Sequence, residues 1–272
     1  MTRLSITLLI TAACFGGLVS CGKSEPIVVE KSEKPASFTF LTPQEIQLRL
    51  QIENVGDVRI KGSMPDTTVF QIHREAAAAG RTRAAELLDR IAMVPTLEKD
   101  GLVKYTPTYP EIRSGEKVFT HLDVLLPLNQ RIPISIALAG GSLEVSGLSS
   151  NLKVRAPGKS KITLQAFQGM FDLELDSGEI TAGMNLEGGK IHMKDGRISL
   201  RQRLKDPMDD IVIELDSGEV ILEVIQGYTG RIRLEAPEVK NSTPVKLAQS
   251  SEGKGIWVKV KKGSAHLRGE LF

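Results

Sequence analysis

The chain has 272 residues, with 35 Lys and Arg against 33 Asp and Glu, 25 Gly, and 8 Phe, 3 Tyr and 1 Trp as its aromatics. That length accommodates one large β domain or two ordinary ones. A net charge of +2 with mixed signs excludes a polyanion-binding domain as the default, and aromatics at 4% argue against base-stacking platforms and sugar-binding faces, so no nucleic-acid partner is expected.

Residues 1–20 read as an export signal: Arg3, then an apolar stretch from Leu4 to Leu18, with no acid before Glu25. The following Leu18-Val19-Ser20-Cys21-Gly22 resembles the bacterial lipoprotein box. The resemblance implies cleavage between Ser20 and Cys21, a diacylglycerol thioether on Cys21 and acylation, typically by palmitate, of the new α-amine. The transfer needs a thiolate nucleophile. Each acyl methylene buried stabilises membrane association by ~0.8 kcal/mol, so several chains make a durable anchor. Gly22, where an inner-membrane retention signal has Asp, points to the outer membrane of a Gram-negative bacterium. The competing readings are an ordinary secretory signal with an incidental cysteine, or a box at Cys14, where Thr11 stands in place of Leu. With Cys21 acylated, Cys14 leaves with the signal and no free thiol remains.

After the acylated Cys21, residues 22–37 are rich in Lys, Glu, Ser and Pro and read as a flexible tether, giving an anchor-and-tether segment over 21–37. Order is expected from Phe38. Ile46, Leu48, Leu50 and Ile52 alternate with polar residues as a period-two strand, and Val58 and Ile60 resume the alternation after Gly56. Residues 74–93 break that pattern. Ala84, Leu87, Leu88 and Ile91 fall at helical spacing, so one amphipathic helix is predicted there, ended before Pro95. The segment 38–135 thus reads as an elaborated first coil or cap, with strands over Lys99–Tyr109 and Lys117–Leu128.

Residues 136–272 carry repeats. Glu-Leu-Asp-Ser-Gly-Glu occurs identically at 174–179 and 214–219, and glycines flanked by alternating strands recur at Gly141, Gly178, Gly196, Gly218 and Gly263, as at Gly56 upstream. Turns about 18–22 residues apart are the spacing of a β-solenoid, in which no coil buries its apolar stripe alone. The predicted fold is therefore all-β: a β-solenoid of roughly 20-residue coils with one short α-helix in its N-terminal cap. A β-sandwich is the alternative.

At these residues the chain resembles the bacterial putative-adhesin β-strand-repeat domain, a family of uncharacterised function. The resemblance is carried by Ile52-Glu-Asn-Val-Gly-Asp-Val-Arg-Ile60, by Leu122-Asp-Val-Leu-Leu-Pro127 and by the Gly-x-apolar-x-apolar units at Gly141, Gly178, Gly196 and Gly218. It spans roughly residues 38–268 and implies adhesion, without catalytic or binding residues.

Catalytic signals are weak. His73, His121, His192 and His266 are scattered, without a spacing that would put two ligands on one face. Asp176 and Glu179 recur as Asp216 and Glu219 and could stack as an acidic ladder, although Asp-Ser-Gly is also ordinary turn chemistry. Lys254, Lys259, Lys261 and Lys262 form a basic strand that would protect the edge of an exposed last coil. The sequence therefore points to a non-enzymatic, cofactor-free lipoprotein bound to the membrane through Cys21. Its solenoid would display a surface for an envelope protein, a glycan or a host-surface ligand. A self-associating scaffold is the alternative, and a polysaccharide-active β-helix the more distant one.

Overall fold

Apolar residues at every second position dominate the ordered chain, and the computed structural model, which describes residues 26–41, 49–64, 67–98, 100–128, 131–206, 208–248 and 253–269, is mainly β. In chain order the elements are β1 (Ile27–Lys31), β2 (Ala36–Leu41), β3 (Arg49–Val55), β4 (Asp57–Ser63), β5 (Thr67–Ala79), α1 (Arg81–Asp89), β6 (Thr96–Leu97), β7 (Leu102–Tyr105) and β8 (Lys117–Pro127). They continue with β9 (Ile134–Leu138), β10 (Gly141–Ser146), β11 (Leu152–Gln202), β12 (Ile211–Val224), β13 (Arg231–Glu235), β14 (Glu238–Asn241) and β15 (Gly255–Gly269). All fifteen strands belong to one curled sheet.

Most of the pairing is parallel and in register. β3 lies on β9 (Ile52 opposite Ile136) and β9 on the start of β11 (Ile136 opposite Val154). A second path runs from β8 through β4 and β10 to β11, with Leu122, Val58, Leu143 and Ile162 as successive partners. β11 is long because it passes several times through the stack. Gly178 lies against the Ser160 carbonyl and Gly196 against that of Gly178, each 18 residues on in sequence. β12 follows β11 with Ile191 opposite Ile213 and Ile198 opposite Val220.

Like residues therefore superpose on like residues. The inward positions Ile52, Ile136, Val154, Leu173, Ile191, Ile213 and Val258 are all at most 2% exposed and form one column of the core. Burying each such side chain stabilises the fold by about 1.5–3 kcal/mol, but only once its neighbour above and below is in place.

The expected tether over 22–37 is corrected by the structure. β1 falls wholly inside it and β2 begins at its end, and both pair antiparallel with β5, Ile27 opposite Ala79 and Phe38 opposite Phe70. Val28-Val29 and Phe38-Thr39-Phe40 supply the β-branched and aromatic side chains such edges favour. The expected helix over 74–93 is shortened as well. Residues 74–79 belong to β5, because pairing with β8 on one side and β1 on the other outweighs the helical preference of the alanine run. Gly80, at φ 78, ends the strand, and α1 packs Ala84 and Leu87 onto Ala76 and Ala78.

The C-terminal strand departs from the expected order too. β15 is not the outer edge. It is inserted between β12 and the pair β13 and β14, with Val258 facing Ile213 on one side and Leu234 on the other. The lysines of 259–262 therefore do not guard an edge. Lys259 stands opposite Glu214, and Lys261 is ion-paired to Asp216 at 2.8 Å.

Candidate binding surface

Register fixes what the outer wall looks like. Inward positions are apolar, so each pass exposes its alternate residues in rows across the stack. Along one wall the rows change sign from pass to pass. Arg155 binds Asp172 at 3.0 Å and Glu174 at 2.7 Å on the next pass. Asp176 binds Lys194 at 2.7 Å, and His192 stands 3.5 Å from Glu214. The other wall repeats the arrangement, with Lys161 to Glu179 at 3.5 Å, Arg197 to Glu219 at 3.1 Å and Arg201 to Glu223 at 2.7 Å.

The acidic ladder expected from the two Asp-Ser-Gly-Glu copies is thus not formed. A basic pass carrying Lys194 and Arg197 lies between them, because the copies are 40 residues apart and one pass takes about half of that. A hydrogen bond from Lys261 holds the Asp216 carboxyl below its ordinary range, and Asp176 raises the Lys194 ammonium. Carboxylates held this way are poor general acids, which need a pKa near the operating pH.

One groove interrupts the wall. It has a volume of about 890 Å³ and crosses the starts of β3, β9, β11 and β12. Its rim carries Arg49, Lys153, Lys190, Asp172, Asp209 and Asp210, with Met170 and Phe171 at its floor. Arg49 is ion-paired with Asp100, and Asp172 with Arg155. Among the described residues Lys153 and Lys190 have no ionic partner, so two exposed ammonium groups stand over an apolar floor.

A second cluster escaped the sequence reading. His73 and His121, taken as scattered, are direct cross-strand partners on β5 and β8 and share one face. His121 Nδ1 lies 3.0 Å from Asp57 and its Nε2 3.7 Å from Glu75, while His73 Nε2 lies 3.8 Å from Asp123. Arg59 bridges Asp123 and Glu144. Burial opposes ionisation of Asp57, but the side-chain and backbone hydrogen bonds of Ser142 and the charge of His121 outweigh it and lower its pKa. The 48-residue separation of the two histidines carries no spacing signal. Only the strand register, legible in the Thr68, Phe70, Ile72 alternation, brings them together.

This cluster lacks a nucleophile–base contact. The Ser142 hydroxyl donates to Asp57 Oδ1 at 2.7 Å and not to a ring nitrogen. Among the described residues no group of three or more His, Cys, Asp or Glu is arranged to hold a metal ion.

The glycines singled out from the repeats fall into one column. Gly56, Gly141, Ser160, Gly178, Gly196, Gly218 and Gly263 follow one another, each glycine from 141 onward placed where a Cβ would run into the carbonyl of its predecessor. Gly141, Gly178, Gly196, Gly218 and Gly263 have φ between 86 and 139, and the strands bend there without breaking their pairing. Ser20 and Cys21 lie outside the described residues, as does the predicted signal. No described helix is long and apolar enough to cross a membrane.

No family model matches the chain, and no curated protein matches it. Among solved structures, a putative adhesin from Bacteroides fragilis aligns with 88% of this chain over 98% of its own, at 14% identity and a TM-score of 0.45. A putative lipid binding protein from Parabacteroides distasonis covers 87% of this chain and 98% of its own, at 9% identity and a TM-score of 0.40. A putative cell adhesion protein from Clostridium sporogenes covers 87% and 100%, at 12% identity and a TM-score of 0.30. The similar structures thus include putative adhesins, the group that the sequence itself resembles.

Proposed function

We propose that the chain is a lipid-anchored envelope protein, held by acylated Cys21 at the outer membrane of a Gram-negative bacterium. Its repeats form a β-solenoid of roughly 20-residue coils that presents its outer wall for adhesion, without catalysis. The carrying observation is the state of the wall's charges. Along the rows from Asp172 to Glu223 most acids are bound by a cation of the adjacent pass, while among the described residues Lys153 and Lys190 have no ionic partner at a groove that Asp209 and Asp210 also line. Paired rows give a wall that resists non-specific contact, and unpaired cations over an apolar floor favour a ligand bearing carboxylate or sulfate groups.

The test is binding of the purified protein to panels of acidic glycans and extracellular-matrix proteins. Replacing both lysines (Lys153→Glu with Lys190→Glu) should weaken a positive interaction about tenfold or more, ~1.4 kcal/mol. Unchanged binding by that variant removes the groove from the reading. For the anchor, Cys21→Ser should leave the precursor uncleaved and release it from the detergent-extractable membrane fraction.

A second reading rests on the free edges. β14 pairs only with β15 and all four of its residues are exposed, and β1 and β2 pair only with β5. Open edges of this kind join to other strands, which would make the protein a self-associating scaffold. A single monomer peak in size-exclusion chromatography at all concentrations eliminates it.

A further inference from the structure

The strand β1 begins only six residues after Cys21. A fully extended chain spans at most about 3.6 Å per residue, so Ile27 lies within about 22 Å of the acylated residue whatever path the intervening chain takes. Ile27 is itself fixed in the sheet by pairing with Ala79. The anchor therefore does not leave the domain free on a long leash. It brings one particular end of the sheet to the bilayer.

That end has the chemistry of a lipid-facing surface. Pairing puts Ile27 and Val29 of β1, Ala77 and Ala79 of β5, and Lys117 and Phe119 of β8 on one face. The opposite face of the same strands is covered by α1 through Ala76, Ala78 and Val118. On the uncovered face Ile27 is 54% and Phe119 40% exposed, apolar surface beside the charged rows of the wall. Lys117 lies on the same face, as does Lys31, which is ion-paired at 2.8 Å to Glu75 opposite Phe119, and Arg113 lines one hollow with Ile27. Apolar and aromatic side chains fringed by Lys and Arg are what the headgroup boundary accepts, the rings at the acyl margin and the ammonium groups at phosphate.

We propose that the face formed by β1, the end of β5 and the start of β8 rests on the phospholipid surface. This orientation rests on the acylation at Cys21 proposed above. It also assigns the exposed edge of β1 to the membrane side and leaves the groove with Lys153 and Lys190 clear of it.

The experiment uses the full acylated protein, extracted from membranes and reconstituted into phosphatidylethanolamine–phosphatidylglycerol vesicles with brominated or ordinary acyl chains. The sole tryptophan, Trp257 on β15, reports the far end. Phe119→Trp in a Trp257→Phe background reports the near one, and Ile27→Trp in the same background repeats the reading on β1. Bromine quenches only an indole seated at the acyl boundary. The expected result is several-fold stronger quenching at 119 and 27 than at 257. Vesicle-bound protein with no such difference overturns the orientation while leaving the anchor intact. Protein that fails to float with the vesicles overturns the acylation and the orientation with it. Retained melting temperature in each variant shows that the fold is not the cause.

Discussion

Gly218 rests directly on Gly196: a Cβ at position 218 would collide with the Gly196 carbonyl oxygen, and the backbone there has φ +132. Both conditions exclude any side chain, one by space and one by conformation. Gly218→Ala should therefore cost about 3 kcal/mol or more, lowering the melting temperature by about 6–12 °C in a domain of this size. Gly158 has open space around it and an ordinary φ, so Gly158→Ala should stay within about 0.5 kcal/mol of the parent. Equal melting temperatures for the two variants would remove the steric role of the column.

The ion-paired rows lead to a different expectation. Lys194 binds Asp176 and feels Glu174 and Asp216 as well, yet its side chain is largely exposed. Lys194→Gln should lower stability only slightly, since exposed pairs contribute little. Lys194→Glu should lower it further by opposing like charges across the ladder, and most of that loss should disappear at about 1 M salt, where screening acts within ~3 Å. Thermal melts at two salt concentrations measure both.

Acid should loosen the N-terminal part of the sheet. A hydrogen bond from Arg83 and the Arg113 amide bring Glu116 down to about 2, and Asp57 is also lowered. A depressed carboxyl favours the folded state above its unfolded pKa, and that contribution is lost as pH falls through the folded value. Melting temperature should thus be level above pH ~5 and fall toward pH ~2. Glu116→Gln and Asp57→Asn should each flatten the fall. An unchanged profile in both would show that these carboxyls keep their ordinary values.

The cap formed by α1 is a small satellite. Leu87 is fully buried, but only against Ala76, Ala78, Ala84 and their neighbours. Leu87→Ala should cost about 2–4 kcal/mol in opening α1 while leaving amide protection in β11 and β12 unchanged. Hydrogen exchange resolved by segment tests this, and loss of protection throughout would mean that the cap and the stack open together.

What could be read from the sequence was whatever repeats locally. The Ile and Val alternation follows from one apolar face turned inward, so the β class is visible in one dimension, and the glycines 18 and 22 residues apart are ones that lie against each other. The burial of Ala76 and Ala78 was not, because the alanine run satisfies helical propensity and only pairing with β1 and β8 overrides it. Nor was the ordering of residues 27–31 and of the first two residues of β2, whose charged and proline-rich surroundings hide them. The His73–His121 pair and the neutralisation of Asp176 by Lys194 depend on register between passes, which no single segment encodes. The lysines of β15 had a visible charge but an invisible place, since chain order and spatial order part at that strand.

That parting governs how the molecule is completed. β15 is last in the chain yet lies inside the stack, with β12 on one flank and β13 and β14 on the other. During synthesis the earlier strands emerge first, and β13 and β14 have no described strand other than β15 to pair with. They must wait, unzipped, until residue 255 and beyond arrive. A chain cut short before that point would lose three ladders at once and bare the flank of β12, with Leu215, Val220 and Leu222 uncovered. Closure is thus a proofreading step for length: only a chain that reaches through β15 can pair β13 and β14, and a shorter one offers open strands to proteases.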